Sequence, residues 1–340
     1  MANPSRRGVP VAKVQNLEVK FVKREATTRA VNGVNFEINP GEVLAIIGES
    51  GSGKSVTMRA LMRLLPEQAK ISGTVEVGGR DVLAMSKSEL TRMRGAEVSM
   101  IFQEPMTALD PVYTVGDQIA ETVMRHEKVS KEEALGRALE LLEFVRVPNA
   151  ARRLKAYPFE LSGGLRQRAM IAMALSCRPS LLLADEPTTA LDATVQIQVL
   201  ILLRKLQKEM GMGVVFVTHD LGVAAQIADK VAVMYAGRII EAGTVREVLG
   251  NPQHPYTRGM LASTVHGQAR GEDIAAIPGS PPDMRREITG CAFAPRCAQA
   301  QDICRARLPE ETVLSETRRV RCHLVAEALQ PAQAATPIPA

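Results

Sequence analysis

The stretch GESGSGKS at residues 48–55 constrains this chain more than any other part of its sequence. It fits the G-x-x-x-x-G-K-S pattern of a phosphate-binding loop. The continuous apolar run EVLAIIG (42–48) precedes it, and the helical pattern SVTMRALMRLL (55–65) follows. In that order, backbone N–H groups and a helix dipole converge on phosphate oxygens. We therefore predict a nucleotide site formed by Gly48, Glu49, Ser50, Gly51, Ser52, Gly53, Lys54 and Ser55.

An acidic pair further along the chain supplies what such a loop needs for hydrolysis. The apolar run LLLADEP (181–187) predicts a buried strand that ends on Asp185, with Glu186 next. Lys54 is expected to hold the β- and γ-phosphates, while Ser55 and Asp185 are expected to serve Mg²⁺. Glu186 is our candidate for polarising the attacking water. Taken alone, the acidic pair could equally cap a helix.

A second glycine pair lies in LSGGLRQR (161–168), at the start of another helical pattern. Phosphoryl transfer needs hydrogen-bond donors or positive charge around all oxygens of the transferred phosphate, and one loop covers one side. Ser162, Gly163 and Gly164, which we call the Ser162 cradle, are predicted to cover the other side. The spacing leaves open whether both cradles serve one ATP within one chain.

The remaining pattern predicts an α/β protein. Buried strands at 42–48, 179–187 and 213–220 alternate with helical sequences such as 193–210, which favours a mostly parallel sheet. Alternating sequences near the N-terminus and a predicted hairpin at 72–82 favour a second, more exposed β-region.

Composition excludes several other classes. No apolar run approaches the roughly 18 residues needed to span a bilayer, and the N-terminus lacks the apolar core of a signal peptide. We therefore expect a cytoplasmic chain. Aromatic residues make up 3% of the sequence, Trp is absent and the net charge is a modest +5, so nucleic acid is not expected as a partner.

Taken in order, these motifs resemble those of the ATP-binding cassette (ABC) ATPases over residues 10–250. The set comprises the phosphate loop, IFQEP (101–105), LSGGLRQR, LLLADEP, TALD (189–192) and VTHD (217–220). In that family the S-G-G motif of one subunit completes the ATP site of the other. The resemblance thus implies that the Ser162 cradle serves a partner's ATP.

The same resemblance implies roles for four further residues. Gln103 would sense Mg²⁺ and couple to a membrane partner, Asp192 would communicate across the dimer, and His219 would contact the γ-phosphate. Phe21 is assigned to stacking on adenine, with core packing as the alternative.

Two classes of ABC ATPase fit these motifs: the motor of a membrane transporter, and a soluble ATPase acting on nucleic acid or ribosomes. A single cassette without a long heptad run or a basic arm favours transport. FQEPMTALDP (102–111), MYAGRIIEAG (234–243) and HPYTRGML (254–261) resemble the D-type ATP-binding subunits of oligopeptide/dipeptide permeases.

This closer resemblance implies an importer subunit with ATP and Mg²⁺ as cofactors. The implied solutes are dipeptides or oligopeptides; the alternatives are nickel, glutathione or another small solute. The implied partners are an F-type ATPase subunit in a heterodimer, two transmembrane subunits, and a solute-binding protein that acts through them. The chain would then lie peripherally on the cytoplasmic face of the inner or plasma membrane.

We accordingly predict a P-loop ABC ATPase fold: a mixed, mostly parallel sheet with an antiparallel β-subdomain and a helical signature subdomain. The ABC ATPase domain is placed at residues 10–250, with its helical subdomain at about 86–175. A small cysteine-bearing C-terminal module of the oligopeptide-permease type is placed at 251–328, and a disordered tail at 329–340.

Four of the five cysteines lie in that C-terminal region, at Cys291, Cys297, Cys304 and Cys322. Their spacing does not fit the short knuckles of structural zinc or the compact ferredoxin runs, so spacing alone leaves bound metal and buried free thiols open. The resemblance to D-type subunits, some of which hold a [4Fe–4S] cluster, implies a cluster here. Zinc remains the alternative, with His323 as a spare ligand.

Overall fold

Two β-sheets organise the part of the chain that the computed structural model describes, which is residues 9–23, 26–104, 108–189, 191–263 and 276–329. The strands are β1 Ala12–Val22, β2 Thr27–Ile38, β3 Val43–Ile47, β4 Ala69–Val77, β5 Arg80–Asp81, β6 Val98–Ile101, β7 Leu181–Asp185, β8 Gly213–Thr218, β9 Lys230–Tyr235, β10 Arg238–Thr244, β11 Thr312–Val313 and β12 Arg319–Val320.

The larger sheet has the strand order β11-β12-β10-β9-β3-β8-β7-β6. Its five strands from β9 to β6 pair in parallel, and β10, β12 and β11 extend it in antiparallel fashion. Every residue of β3, β7 and β8 is buried, as expected for strands covered on both faces. The predicted mixed, mostly parallel sheet is confirmed.

The smaller sheet is antiparallel throughout, with the order β2-β1-β4-β5. Strands β4 and β5 form the hairpin predicted at 72–82. The apolar face of this sheet packs with the helix that follows the phosphate loop and with one face of the larger sheet, in a common core. The predicted antiparallel β-region is confirmed.

Helices cover the remaining faces. They are α1 Lys54–Leu61, α2 Lys87–Ala96, α3 Val115–His126, α4 Lys131–Phe144, α5 Ala150–Arg153, α6 Gly163–Leu175, α7 Ala193–Met210, α8 Leu221–Ile227, α9 Val245–Gly250, α10 Pro255–Ala262, α11 Asp302–Ala306 and α12 His323–Leu329.

Helices α3, α4, α6 and α7 bury their apolar residues in one core with β7 and β8. Helices α3, α4 and α6 lie within the range predicted for the helical subdomain, and α7 lies outside it. That range also contains β6, the last strand of the larger sheet, which the sequence analysis did not identify. Its four residues are all buried, and a run this short lacks the length to show a period of its own.

The C-terminal region packs directly onto the ATPase core. Strand β12 pairs with β10 at the edge of the larger sheet, and Tyr256 and Phe293 share a core with Ile47 and Val233. The tail predicted from residue 329 starts too early, because Leu329 is the last residue of α12, and 330–340 lie outside the described residues. None of the described helices is long and apolar enough to cross a membrane.

Candidate active site

The phosphate loop connects β3 to α1, as the sequence predicted, and two of its glycines are required by close backbone contacts. A Cβ on Gly48 would lie 2.2 Å from the Met234 carbonyl oxygen, and a Cβ on Gly53 would lie 2.4 Å from that of Ala30. Gly48 has φ +155° and Gly53 has φ +104°, which L side chains rarely adopt. The loop is thus held tightly against β2 and β9.

Lys54 is folded into this loop. Its Nζ donates to the carbonyl oxygens of Gly48 at 2.7 Å and Glu49 at 2.9 Å, and the residue is 5% exposed. Burial lowers the pKa of Lys54, and the nearby carboxylates of Glu186 and Asp185 partly oppose that shift. A phosphate would compete with the two carbonyls for this ammonium group.

Ser55 and Asp185 meet, although 130 residues separate them: Ser55 Oγ donates to Asp185 Oδ1 at 2.8 Å. Burial raises the pKa of Asp185, and the Ser55 hydrogen bond opposes that rise. A hydroxyl and a carboxylate form the hard oxygen donor set that Mg²⁺ takes beside a nucleotide, so the two residues fit the predicted ion.

One carboxylate oxygen of Glu186 contacts three polar side chains. Oε2 accepts from Gln103 Nε2 at 3.2 Å and Thr189 Oγ1 at 3.0 Å, and it lies 3.3 Å from His219 Nδ1. Glu186 also has φ +47°, a left-handed conformation that is unusual for a residue with a side chain. The predicted residues Gln103, Glu186 and His219 therefore come together, and Thr189 joins them without having been predicted.

The Ser162 cradle is at the N-terminus of α6, where Ser162 is the N-cap residue. Ser162 and Gly163 are exposed, and the Ser162 side chain makes no capping hydrogen bond. A Cβ on Gly164 would lie 2.7 Å from Val195 Cγ1, so this glycine permits the close approach of α6 and α7. Within the described ranges, no hydrogen bond connects this cradle to the phosphate loop.

Two other predicted residues occupy defined positions. Asp192 caps α7, and its Oδ1 accepts from the Val195 N–H at 2.9 Å. Phe21 lies in β1, half-buried against the core between the two sheets. That contact agrees with the packing alternative for Phe21, and adenine stacking stays a prediction.

Two residues outside the phosphate loop bind Glu49, and the sequence analysis gave neither of them a role at this site. Glu49 N–H donates to the Tyr256 hydroxyl at 3.0 Å, and the Glu49 carboxylate accepts two hydrogen bonds from Arg296. Both partners come from the C-terminal region, 207 and 247 residues away. HPYTRGML marked Tyr256 only as part of a family resemblance, and Arg296 had no signal of its own.

The four C-terminal cysteines are free thiols, and they lie near enough to influence one another's pKa. Burial raises the pKa of Cys291 to about 11, and the charges of Cys304 and Cys322 contribute to that rise. Burial also raises the pKa of Cys297 and of Cys322, with smaller contributions from neighbouring cysteines. Nearby backbone N–H groups partly oppose the rise in the pKa of Cys291, Cys297 and Cys322.

A single metal ion does not suit these cysteines as they stand. No three His, Cys, Asp or Glu side chains of the described residues are grouped closely enough to hold one ion. His323, the predicted spare zinc ligand, places Nε2 2.9 Å from the Arg307 carbonyl oxygen instead. The fifth cysteine, Cys177, is half-buried with a pKa raised by burial, and its sulfur contacts the Thr122 carbonyl at 3.7 Å.

Comparisons with known proteins agree with this geometry. Residues 31–189 match the ABC transporter family, and residues 240–304 match the C-terminal region of the oligopeptide/dipeptide transporter family. The dipeptide transport ATP-binding protein DppD of Bacillus subtilis is 47% identical, over 92% of this chain and 94% of its own length. The oligopeptide transport ATP-binding protein OppD of Escherichia coli is 48% identical, over 88% of each chain.

Among solved structures, the ATP-binding cassette MJ0796, a dimer in a post-hydrolysis state with ADP and Pi, superposes with a TM-score of 0.63. It is 32% identical to this chain, and the superposition covers 69% of this chain and 99% of that one.

Proposed function

This chain belongs to the ABC transporter ATPases, in the oligopeptide/dipeptide transporter family, and from that premise we propose that it powers the uptake of dipeptides or oligopeptides. As an ABC ATPase it hydrolyses ATP to drive transport. The observation that carries the ATPase part of the proposal is the Glu186 oxygen, which three side chains surround beside the phosphate loop and Asp185. The similarity to DppD and OppD supports the peptide solute.

The proposed active unit is a pair of ATPase subunits. The phosphate loop and Glu186 form one wall of an ATP site, and the exposed Ser162 cradle forms the other wall for the partner's ATP. The neighbour MJ0796 is a dimer with ADP and Pi, which supports this arrangement. We assign the partner as an F-type ATPase subunit in a heterodimer at the cytoplasmic face of the membrane, with two transmembrane subunits and a solute-binding protein.

In this site each residue has one task. Lys54 leaves the Gly48 and Glu49 carbonyls and binds the β- and γ-phosphates. Ser55 and Asp185 would hold Mg²⁺, which would neutralise phosphate charge when bound. Glu186 aligns the attacking water, and Gln103 and His219 contact that carboxylate. With ATP bound, Gln103 would sense Mg²⁺ and His219 would contact the γ-phosphate. Closing and opening of the ATPase pair then changes the conformation of the membrane subunits.

The test is to purify the chain from membranes with its partners and to identify the ligand of the solute-binding protein. In proteoliposomes, ATP turnover is expected to rise when that protein is loaded with a peptide. Stimulation by nickel or glutathione alone would assign one of those solutes instead. Full turnover by an isolated, strictly monomeric chain would contradict the paired site.

For the C-terminal cysteines we propose a [4Fe–4S] cluster held by Cys291, Cys297, Cys304 and Cys322. The four thiols influence one another's pKa, which supports a shared site for them. Nearby backbone N–H groups partly oppose the rise in the pKa of three of these cysteines, an effect that would stabilise bound thiolates. The module boundaries at 251–328 belong to the same proposal.

Anaerobic purification followed by iron, acid-labile sulfide and zinc analysis tests the cluster. Cys304→Ser is expected to lose iron, whereas Cys177→Ser, which alters a half-buried cysteine of the helical region, is expected to retain it. A colourless protein with stoichiometric zinc, or with no metal, would contradict the proposal.

A further inference from the structure

The second residue of the phosphate loop is bound by a buried charge from the far end of the chain. Arg296 Nη1 donates to Glu49 Oε2 at 2.9 Å, and Nη2 donates to Oε1 at 3.1 Å. This is the two-pronged geometry that makes an arginine–carboxylate pair both strong and directional. The Arg296 side chain is 6% exposed and that of Glu49 is 28% exposed, so the pair is largely shielded from water.

Further hydrogen bonds fix the position of the Arg296 side chain. Its Nε donates to the Pro278 carbonyl oxygen at 2.9 Å, and Nη1 also reaches the Tyr235 hydroxyl at 3.3 Å. The residue ends the short 3₁₀ turn Ala294–Arg296 and directly precedes Cys297. The direction of the Glu49 side chain is therefore set by the C-terminal region.

The Tyr256 side chain binds the backbone of the same loop. Its hydroxyl accepts from the Glu49 N–H, while the carbonyl of Gly48, which belongs to the same peptide unit, accepts from Lys54. Because a peptide unit is planar, a bond on its N–H side also orients its carbonyl. Tyr256 thus orients one of the two oxygens that now hold Lys54.

Tyr256 has little freedom to move. It is fully buried, its ring lies 4.6 Å from that of Tyr235 and 5.4 Å from that of Phe293, and its N–H donates to His254 Nδ1 at 3.0 Å. His254 is the N-cap of α10, and burial lowers its pKa to about 3, so it stays neutral and can accept this bond at physiological pH.

We propose that Arg296 and Tyr256 are positioning residues for nucleotide binding. They hold the Gly48–Glu49 peptide in place and neutralise Glu49, so that the loop is arranged for phosphates before ATP arrives. Without Arg296, an unpaired carboxylate would stand on the loop that receives the most negatively charged part of ATP. A loop fixed in advance also loses less conformational freedom on binding. This inference rests on the proposed function, in which residues 48–55 bind ATP.

The test compares ATP binding with turnover. In the full-length chain, Arg296→Met is expected to weaken binding of a fluorescent ATP analogue with Mg²⁺ by about tenfold, as for the loss of one charged hydrogen bond. In the assembled complex, KM for ATP is expected to rise similarly while kcat changes little, the pattern of lost binding without loss of chemistry. Arg296→Lys keeps the positive charge but cannot form the two parallel hydrogen bonds to Glu49. Its affinity for the ATP analogue is expected to fall less than that of Arg296→Met.

A double-variant cycle separates charge from folding. Adding Glu49→Gln to Arg296→Met removes the unpaired carboxylate and is expected to restore part of the affinity. Arg321→Met is the matched control, because Arg321 precedes Cys322 as Arg296 precedes Cys297 but pairs with Glu311 at 3.1 Å. It is expected to bind ATP as the unmodified chain does. Tyr256→Phe should weaken binding more than Tyr235→Phe.

Three results would overturn the inference: unchanged affinity in Arg296→Met, an equal loss in Arg321→Met, or no recovery in the double variant. If Arg296→Met fails to fold, Arg296→Lys and Tyr256→Phe carry the same comparison against Arg321→Met. An unmodified chain that fails to bind ATP would instead refute the proposed function, so the two failures are distinguishable.

Discussion

The phosphate loop and the Ser162 cradle use the same chemistry, yet the chain treats them in opposite ways. Each places a serine, glycines and backbone amides at the start of a helix, α1 or α6. Hydrogen bonds hold the phosphate loop in place: Lys54 donates to the Gly48 carbonyl within it, Ser55 donates to Asp185, and Arg296 of the C-terminal region donates to Glu49. In the Ser162 cradle, Ser162 and Gly163 are exposed, and the serine side chain makes no capping bond. The phosphate loop is therefore positioned by contacts within its own chain, whereas Ser162 and Gly163 are accessible on the surface of this chain.

The largest expected effect comes from changing Glu186, which lies beside the phosphate loop and not beside the Ser162 cradle. Glu186→Gln removes the base but leaves the phosphate loop intact, so ATP turnover in the assembled complex is expected to fall about a thousandfold with ATP still bound. Turnover and trapped nucleotide are both measured. Glu209→Gln, on the surface of α7 beside Lys205, is the control. Normal hydrolysis by Glu186→Gln would remove that residue from the mechanism.

A change in the Ser162 cradle should act on the other subunit. Ser162→Arg fills the exposed N-terminus of α6, and turnover at the partner's site is expected to drop about a hundredfold, as for loss of a transition-state donor. ATP binding at this chain's own loop should not change, which a binding assay on the isolated chain checks. Ser88→Arg, in the exposed first turn of α2, serves as the comparison. Equal losses at both sites would mean that the cradles do not work across a dimer.

Within the loop, Lys54→Met should weaken ATP binding about tenfold to a hundredfold, the cost of losing a charged hydrogen-bond donor. Because Lys54 donates to two carbonyls of the loop and, among the described residues, to no other acceptor, the fold should tolerate the change. Titration with an ATP analogue measures the affinity, and thermal unfolding checks the fold. Unchanged ATP affinity would contradict the assignment of Lys54 to the phosphates.

The smallest effect separates two roles of Asp192, which caps the helix after the Glu186 segment. Asp192→Ala is expected to cost about 1 kcal/mol of stability, since the Val195 N–H loses its acceptor. Asp192→Asn keeps the cap but not the charge, so its stability should be close to that of the unmodified chain. A loss of turnover in Asp192→Asn at normal stability would support communication across the dimer. Equal urea midpoints for all three chains would refute the capping role.

Much of the nucleotide site could be predicted because its groups are neighbours in the sequence. The glycines, Lys54 and Ser55 are consecutive, and Asp185 and Glu186 follow one buried strand. The family resemblance assigned Gln103 to Mg²⁺ and His219 to the γ-phosphate, but the contacts of both residues with Glu186, and that of Thr189, were not predicted. Strand β6 was missed because its four buried residues show no period of their own.

The sequence alone determined the α/β class, the phosphate loop, the acidic pair that ends β7, and the presence of a second glycine cradle. These features are local, so covalent neighbours and a short apolar period are enough to specify them. Only the tertiary structure decided that the Ser162 cradle is exposed, that three side chains meet on one Glu186 oxygen, and that Arg296 holds Glu49 across 247 residues of chain. Residues far apart in the sequence come into contact only when sheets and helices pack against each other, so local sequence patterns do not specify these contacts.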